Sequence, residues 1–427
     1  MDITLNPSVL CGAIEAIPSK SHAHRLLICA SLSDKPCSII CPASSEDIEA
    51  TASCMRALGA DIRRTEQGYE VIPIDKRARK SEAVLDCGES GSTLRFLLPV
   101  AAALGADTRF NMHGRLPSRP LSPLYEILSE NGITMSEQGS NPLCMSGVLR
   151  AKEFSIAANV SSQFISGLLF ACPIIADKCT VKLTTAPEST GYIDMTVECM
   201  RQFGITVNSS VEDGLVRYEV SGRYTTQKSI VKAEGDWSNA AFWLCAGAIG
   251  SAPVAVTGLN SESLQPDKKI IEILTRFGAG VEHSGDKYCI SPASLCGCEI
   301  DVKNTPDLVP AIAVVAACAM GKTTITGAQR LKIKESDRIR SVCDMIGAIG
   351  GEAEPAEDSM TIHGTGISGG TVDSCNDHRI AMAAAIASAA SADAITILGA
   401  QSTKKSYPAF FEDMAKLTLD FDKINNL

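Results

Sequence analysis

Five glycines recur along this chain at an almost constant interval. Gly59, Gly132, Gly204, Gly278 and Gly350 are 73, 72, 74 and 72 residues apart. Each closes an amphipathic helical pattern and precedes two short alternating segments joined by a polar turn, as in "MRALGADIRRTEQGYEVIP", "MRQFGITVNSSVEDGLVRYEVSG" and "LTRFGAGVEHSGDKYCISP". A second marker keeps the same period. Six apolar helical patterns begin at Lys20, Gly91, Ser162, Asp236, Asp307 and Asp377, which are 71, 71, 74, 71 and 70 residues apart. A fixed period means one supersecondary unit used repeatedly, each copy burying a face against its neighbours. The α/β unit read here has two helices. The first is apolar all round and must be buried, and the second is amphipathic and lies outside. The alternating segments predict sheets with one face on the core.

Six copies in 427 residues exceed one ordinary core and divide into two domains of three. The first domain is expected over residues 19–231. The second is expected over 232–427 together with 1–18, with crossings near "IPSK" and "KAEGD". The N-terminal pattern "ITLNPSVLCGAI" has no unit of its own. It is expected to complete the last unit, whose end "LTLDFDKINNL" is short.

A net charge of −10 with only 5% aromatic residues argues against a nucleic-acid partner, which calls for a basic stripe with interleaved aromatics. No apolar run reaches the ~20 uninterrupted residues of a membrane span, and "MDITLNPSVL" lacks the basic start and apolar stretch of a signal peptide. No membrane partner is expected, and the location predicted is cytoplasmic. The 17 cysteines are scattered through apolar runs and read as reduced core residues. Cys296 and Cys298 have no second pair or nearby histidine cluster, so neither a metal nor a cofactor is expected. "MGKTTI" is not a phosphate-binding nucleotide loop, since Ala316 stands where its first glycine belongs. It reads as a turn into a strand.

The start of a buried helix exposes unpaired N–H groups and a partial positive charge, which makes it a ready anion site. This chain places its unusual residues at those starts. They are Lys20, Ser21 and Arg25, "CGESGST" with Arg95, Ser161 to Gln163, Asp307, and Asp377 to Arg379. Serine or aspartate there can be a simple cap. A cap does not explain cations at the head of an apolar helix, where burial without a partner is costly. "RLKIKESDRI" (residues 330–339) places Lys334 and Arg338 one turn apart if it is helical, with Glu335 beside Arg338. Basic residues recur at matched places in "GRLPSRP" (Arg119) and "QSTKKSYP" (Lys404, Lys405). The pattern points to two adjoining anionic groups held between the domains. His22 and His24 flank the first helix start, where they can tune its charge near neutral pH or serve as exposed or capping groups.

"PSKSHAHR", "GSTLRF", "SRPLSPL", "SSQFISGLL", "STGYIDMT", "TPDLVPAIAVVAA", "LKIKESDRI", "DHRIAMA" and "KKSYPAFF" resemble, in order and over essentially the whole chain, the motifs of the 5-enolpyruvylshikimate-3-phosphate synthases. "KESDRI" with "DHRIAMA" at this separation is the specific part. The resemblance implies an α/β fold of two similar domains, each of three βαβαββ units in an inside-out α/β barrel, with the active site in the interdomain cleft. It implies transfer of the enolpyruvyl group of phosphoenolpyruvate to the 5-hydroxyl of shikimate 3-phosphate, through a tetrahedral intermediate and with release of phosphate. Both are small-molecule phosphorylated carboxylates, and the enzyme is expected to be a monomer and a target of glyphosate. By the resemblance, Ser161, Ser162 and Ser189 hold the shikimate phosphate and Ser21 and Arg25 its carboxylate, with Asp307 and Lys334 also on that substrate. Gly91, Arg119, Arg338, Arg379 and Lys405 hold phosphoenolpyruvate. Lys20 and Gln163 serve both. Lys20, Asp307 and Glu335 are the titratable groups for the proton transfers, with Asp307 the best base and Glu335 with Lys20 the best donors. Glu89 and Ser92 depart from the asparagine and threonine of many members.

The related UDP-N-acetylglucosamine enolpyruvyl transferases share the implied fold, but "GRLPSRP" lacks the cysteine that many of them carry in the matching loop. A repeat scaffold that only binds anions is the remaining alternative. Two carboxylates among the site residues work against it.

Overall fold

The computed structural model describes residues 1–75 and 81–419. They separate into two compact units, Pro18–Ala233 and Met1–Ile17 with the chain from Glu234 onward. The helices, in chain order, are α1 (Lys20–Leu32), α2 (Glu46–Ala57), α3 (Gly91–Leu104), α4 (Leu124–Glu130), α5 (Ser162–Ile175) and α6 (Thr190–Gln202). They continue with α7 (Trp237–Ile249), α8 (Ile270–Phe277), α9 (Val309–Cys318), α10 (Arg338–Ala348), α11 (His378–Ala387) and α12 (Phe410–Leu417). The odd-numbered helices are the apolar ones of the repeat. All ten residues of α11 are buried, and nine of the ten in α9. Such helices leave no face for solvent, and the amphipathic even-numbered ones pack outside them. Each unit has its own core, built from its three apolar helices and the inner faces of its sheets.

Six sheets are present among the described residues, and one pattern runs through them. In the second, Glu82–Asp86 pairs in parallel with Asp107–Asn111 across the α3 crossover. Leu143–Ser146 then adds antiparallel, followed by Thr134–Met135. The break glycines sit between each outer helix and the strand after it, with φ between 79° and 112°. That left-handed conformation is open to glycine at little cost, which is why the marker is always glycine.

The two chain crossings involve an exchange of strands. Ile230–Lys232 runs parallel to Cys37–Ile40 and completes the first sheet of the unit Pro18–Ala233. The Ala233 N–H extends that pairing to the Ile40 carbonyl (2.9 Å), so this unit runs two residues beyond the boundary expected at 231. The N-terminal pattern divides. Ile3–Leu5 pairs antiparallel with Ile395–Leu398 in the last sheet, as expected. Gly12–Glu15 instead pairs in parallel with Val254–Thr257 in the fourth, the place left open because Ile230–Lys232, the strand before α7, joins the first sheet. Residues 420–427, part of the short C-terminal pattern, lie outside the described residues. "MGKTTI" is a turn at Gly321 entering the strand Lys322–Thr326. Among the described residues, no helix is long and apolar enough to cross a membrane.

One close approach shapes the unit Pro18–Ala233. A Cβ on Gly167 of α5 would lie 2.5 Å from the Arg95 carbonyl oxygen of α3 and 3.1 Å from Pro99 Cγ. The bare Cα lets the two helices run close enough for their first turns to share side-chain contacts. Gly167→Ala should therefore cost about 2–3 kcal/mol through overpacking. Gly347→Ala in α10, where nothing lies within 4 Å of the added carbon, should be neutral or stabilising by up to about 1 kcal/mol. Calorimetric unfolding of the two variants checks this, and equal shifts would contradict the close approach.

Candidate functional site

In the unit Pro18–Ala233 the starts of α1, α3 and α5 are tied together by side chains. Ser19, Ser90 and Ser161 cap the three helices, their hydroxyls accepting from the amides of His22, Thr93 and Gln163. From α1, His24 Nδ1 lies 2.7 Å from the Thr51 hydroxyl of α2, Thr51 lies 2.6 Å from Thr93, and Thr93 donates to Ser90 (2.8 Å). Between α3 and α5, Arg95 donates to Gln163 Oε1 (2.8 Å), and Gln163 Nε2 donates to Ser92 (2.8 Å). The Gln163 side chain, expected to meet substrate, is thus held between Arg95 and Ser92.

Arg25 is buried among neutral acceptors. Its Nε donates to Thr196 (2.9 Å) and its two terminal nitrogens to the carbonyls of Ser21 and Tyr192 (2.7 and 2.8 Å). Its Cζ stands 5.0 Å over the Phe96 ring. Burial pushes the guanidinium down to about 10, against an upward pull from Cys199, Tyr192 and Cys29. A cation held this way favours an anion nearby. Lys20 forms an ion pair with Asp47 of α2 at 2.8 Å. Ser161 and Ser162 are both buried. Ser189 precedes α6 with φ +54°, an unusual conformation for a side chain other than glycine, costing on the order of 1–2 kcal/mol. Arg119 is buried against Gly91, the first residue of α3. His22 and His24 do not tune this helix start near neutral pH. Both are buried. Burial first, then Arg25, lowers His22 to about 4, and burial with Lys20 and Arg25 holds His24 well below its usual range.

In the unit from Glu234 onward the centre is Arg338, fully buried. Its Nε donates to Asp377 Oδ2 (2.7 Å), one terminal nitrogen to Asp307 (2.7 Å), and the other to Glu335 (2.7 Å) and Asp377 Oδ1 (3.1 Å). Burial alone would depress this guanidinium, but Asp377, Glu335 and Asp307 outweigh it and strengthen its hold on the proton. Asp307 also takes Lys334 (3.2 Å) and lies 3.5 Å from Arg379. Burial opposes the Asp307 carboxylate, yet Arg379, Lys334 and Arg338 together hold its carboxyl well below the usual range. Burial lowers Lys334 in turn. Arg379 donates to Ser238 of α7 (2.7 Å) and to the Asp307 carbonyl (3.1 Å). Lys405 donates to the Asn376 carbonyl (2.6 Å).

The stretch "RLKIKESDRI" is not one helix. Gln329–Ile333 is a short 3₁₀ turn, residues 334–337 are irregular, and α10 begins at Arg338. Asp337 takes the cap position, its carboxylate accepting the Arg340 amide, and this breaks the helix that the charge spacing suggested. The break frees Lys334 to reach Asp307 while Glu335 still meets Arg338.

Several site residues escaped the sequence reading. Asp47 had no signal beyond an acid in the first turn of a helix. Asp377 was visible only as a helix start, yet it caps α11 and binds Arg338 at once. Thr196 and Tyr192 lie in a quoted motif without a role. Among the described residues, one group of three could hold a metal ion: Glu352, Glu354 and His363, with ligand atoms within 4.8 Å of one another. They lie on neighbouring strands of a sheet, and Cys296 and Cys298 are not among them.

Each unit groups buried cations at helix starts with polar or acidic partners, chemistry that suits anionic ligands. The fold is that of the enolpyruvyl transferases. It matches the EPSP synthase of Acinetobacter baumannii with a TM-score of 0.79 at 25% identity, over 98% of each chain. It also matches the enolpyruvyl transferase NikO of Streptomyces tendae with a TM-score of 0.75 at 17% identity, over 98% of this chain and 99% of that one. The family model for EPSP synthase (3-phosphoshikimate 1-carboxyvinyltransferase) matches residues 5–414. A 3-phosphoshikimate 1-carboxyvinyltransferase of Clostridium kluyveri is 39% identical over 423 residues, 99% of this chain and 98% of that one. The chain belongs to the EPSP synthase family.

The depressed Asp307 carboxyl has a consequence for stability. A carboxyl lowered on folding contributes stability that is fully present above its unfolded value near pH 4 and is lost as the pH falls below it. The stability advantage of the wild type over Asp307→Asn should be constant from pH 7 to about 5. It should then shrink by up to about 1.4 kcal/mol per pH unit below about pH 4. Urea unfolding across that range measures it, and an advantage independent of pH would show that the cations do not hold this carboxylate.

Proposed function

We propose that this chain transfers the enolpyruvyl group of phosphoenolpyruvate to the 5-hydroxyl of shikimate 3-phosphate and releases phosphate. Membership of the EPSP synthase family carries the reading. The site chemistry supports it, because each unit presents buried cations at helix starts beside hydroxyl, amide or carboxylate groups, and both substrates are phosphorylated carboxylates. UDP-N-acetylglucosamine as acceptor has no comparable support.

In this reading Ser161, Ser162 and Ser189 hold the shikimate phosphate at the starts of α5 and α6, where exposed amides favour an anion. Ser21 and Arg25 take the carboxylate, and Lys334 steadies the same substrate. Gly91, Arg119, Arg338, Arg379 and Lys405 hold phosphoenolpyruvate. Gln163, oriented by Arg95 and Ser92, and Lys20, oriented by Asp47, serve both. The cations also stabilise charge that develops in the tetrahedral intermediate. Asp307 accepts the proton of the 5-hydroxyl, Glu335 and Lys20 protonate the methylene carbon, and these transfers reverse to expel phosphate. Asp307 is a weak base while Arg379, Lys334 and Arg338 hold it. Anionic substrates that engage those cations would weaken their hold and raise its basicity when it is needed.

The test is phosphate release from phosphoenolpyruvate with shikimate 3-phosphate or UDP-N-acetylglucosamine as acceptor. Release is expected with shikimate 3-phosphate only. Glu335→Gln and Lys20→Met should each lower kcat by about 100-fold or more while the protein stays folded. Release with the nucleotide sugar alone would move the chain to the sister activity, and no release with either would leave an anion-binding scaffold.

A further inference from the structure

We infer that Glu89 is a positioning residue that braces the loop carrying Arg119, an inference that rests on the enolpyruvyl-transfer reading above. The turn that leads into α3 and the loop His113–Pro120 lie against each other in the unit Pro18–Ala233. Backbone bonds fasten them at one end, from Cys87 N to the Asn111 carbonyl (2.9 Å) and from His113 N to the Gly88 carbonyl (2.8 Å). His113 Nε2 also lies 3.1 Å from Asp86 Oδ1.

Two reciprocal contacts complete the clasp. The Arg119 guanidinium of the loop lies on Gly91 of the turn, where a Cβ would stand 2.8 Å from its nearest nitrogen. The Glu89 carboxyl of the turn lies on Gly114 of the loop, where a Cβ would stand 2.6 Å from its Cδ and Oε2 and 2.9 Å from Oε1. Each segment supplies a bare Cα, and each receives the charged end of a side chain from the other. An acid beside a site for anions opposes binding when it faces the ligand. Here the carboxylate is laid on the loop backbone. It limits how far the loop can move from the turn, and so fixes where Arg119 meets the start of α3. Glu89 thereby acts on phosphoenolpyruvate through Arg119.

The test uses Gly114→Ala, Glu89→Ala and the double variant, with KM for each substrate and the rate of tryptic cleavage after Arg115. Gly114→Ala pushes a methyl group into the carboxyl. It should raise KM for phosphoenolpyruvate about tenfold or more and leave that for shikimate 3-phosphate nearly unchanged. Glu89→Ala should raise KM for phosphoenolpyruvate about threefold and hasten cleavage at Arg115. The double variant should fall back to the level of Glu89→Ala, since the added methyl then has room. A Gly114→Ala defect undiminished in the double variant would make the left-handed backbone of Gly114 the cause and overturn the brace. Equal rises in both KM values, or an unchanged cleavage rate in Glu89→Ala, would overturn it too. If the wild type shows no turnover with shikimate 3-phosphate, the activity reading fails, while the cleavage rates still judge the brace.

Discussion

A helix enclosed on every side must still find partners for the amides of its first turn. This chain faces that requirement six times and answers it with a side-chain cap five times, and most of the candidate site follows from it. The apolar bodies of α1, α3, α5, α7, α9 and α11 fill the two cores, so their polar ends are the places where the cores must open to polar chemistry. Ser19, Ser90 and Ser161 meet the need with hydroxyls, and Asp236 and Asp377 with carboxylates. Once a buried helix end is polar, a cation can be buried beside it if its charge is answered. Arg25 and Arg338 show the two ways of doing so.

The repeat was legible because its physical causes are local. The left-handed turn after each outer helix demands glycine, and a helix without a wet face demands an unbroken apolar pattern. Both leave marks on a single segment. The exchange of Gly12–Glu15 and Ile230–Lys232 between units left a weaker mark. A short strand reads the same whichever sheet it joins, and its partner is chosen by tertiary packing. The N-terminal pattern therefore reads as belonging to one sheet, while it serves two.

The candidate site was legible to the extent that its residues are odd for their place. A lysine and an arginine heading an apolar helix stand out, and so do a histidine and an arginine. Asp47 does not, because an acid in the first turn of a helix is what capping and the helix dipole favour anyway. Its pairing with Lys20 depends on how α2 packs against α1. "RLKIKESDRI" erred in the opposite direction. Its charge spacing fits a helical ladder, but Asp337 competes for the cap and starts α10 at Arg338. Side-chain competition for backbone amides is local physics, yet which of several acids wins depends on the carboxylates that Arg338 gathers in three dimensions.

The two units use the same architecture for different electrostatics. Serine caps satisfy amides without adding charge, so the positive ends of α1, α3 and α5 keep their attraction for an anion. Aspartate caps on α7 and α11, with Asp307 before α9, cancel that field. In their place Arg338, Arg379 and Lys334 crowd around carboxylates. Buried charges arranged this way are costly to desolvate and contribute little net stability, so folding alone does not account for them. They make sense as a poised set in which an incoming anion competes for the cations and releases the acid they hold. On the proposed reading, binding and proton transfer are coupled through the same side chains. A neutral substrate would leave Asp307 in its weakest state as a base, whatever its shape.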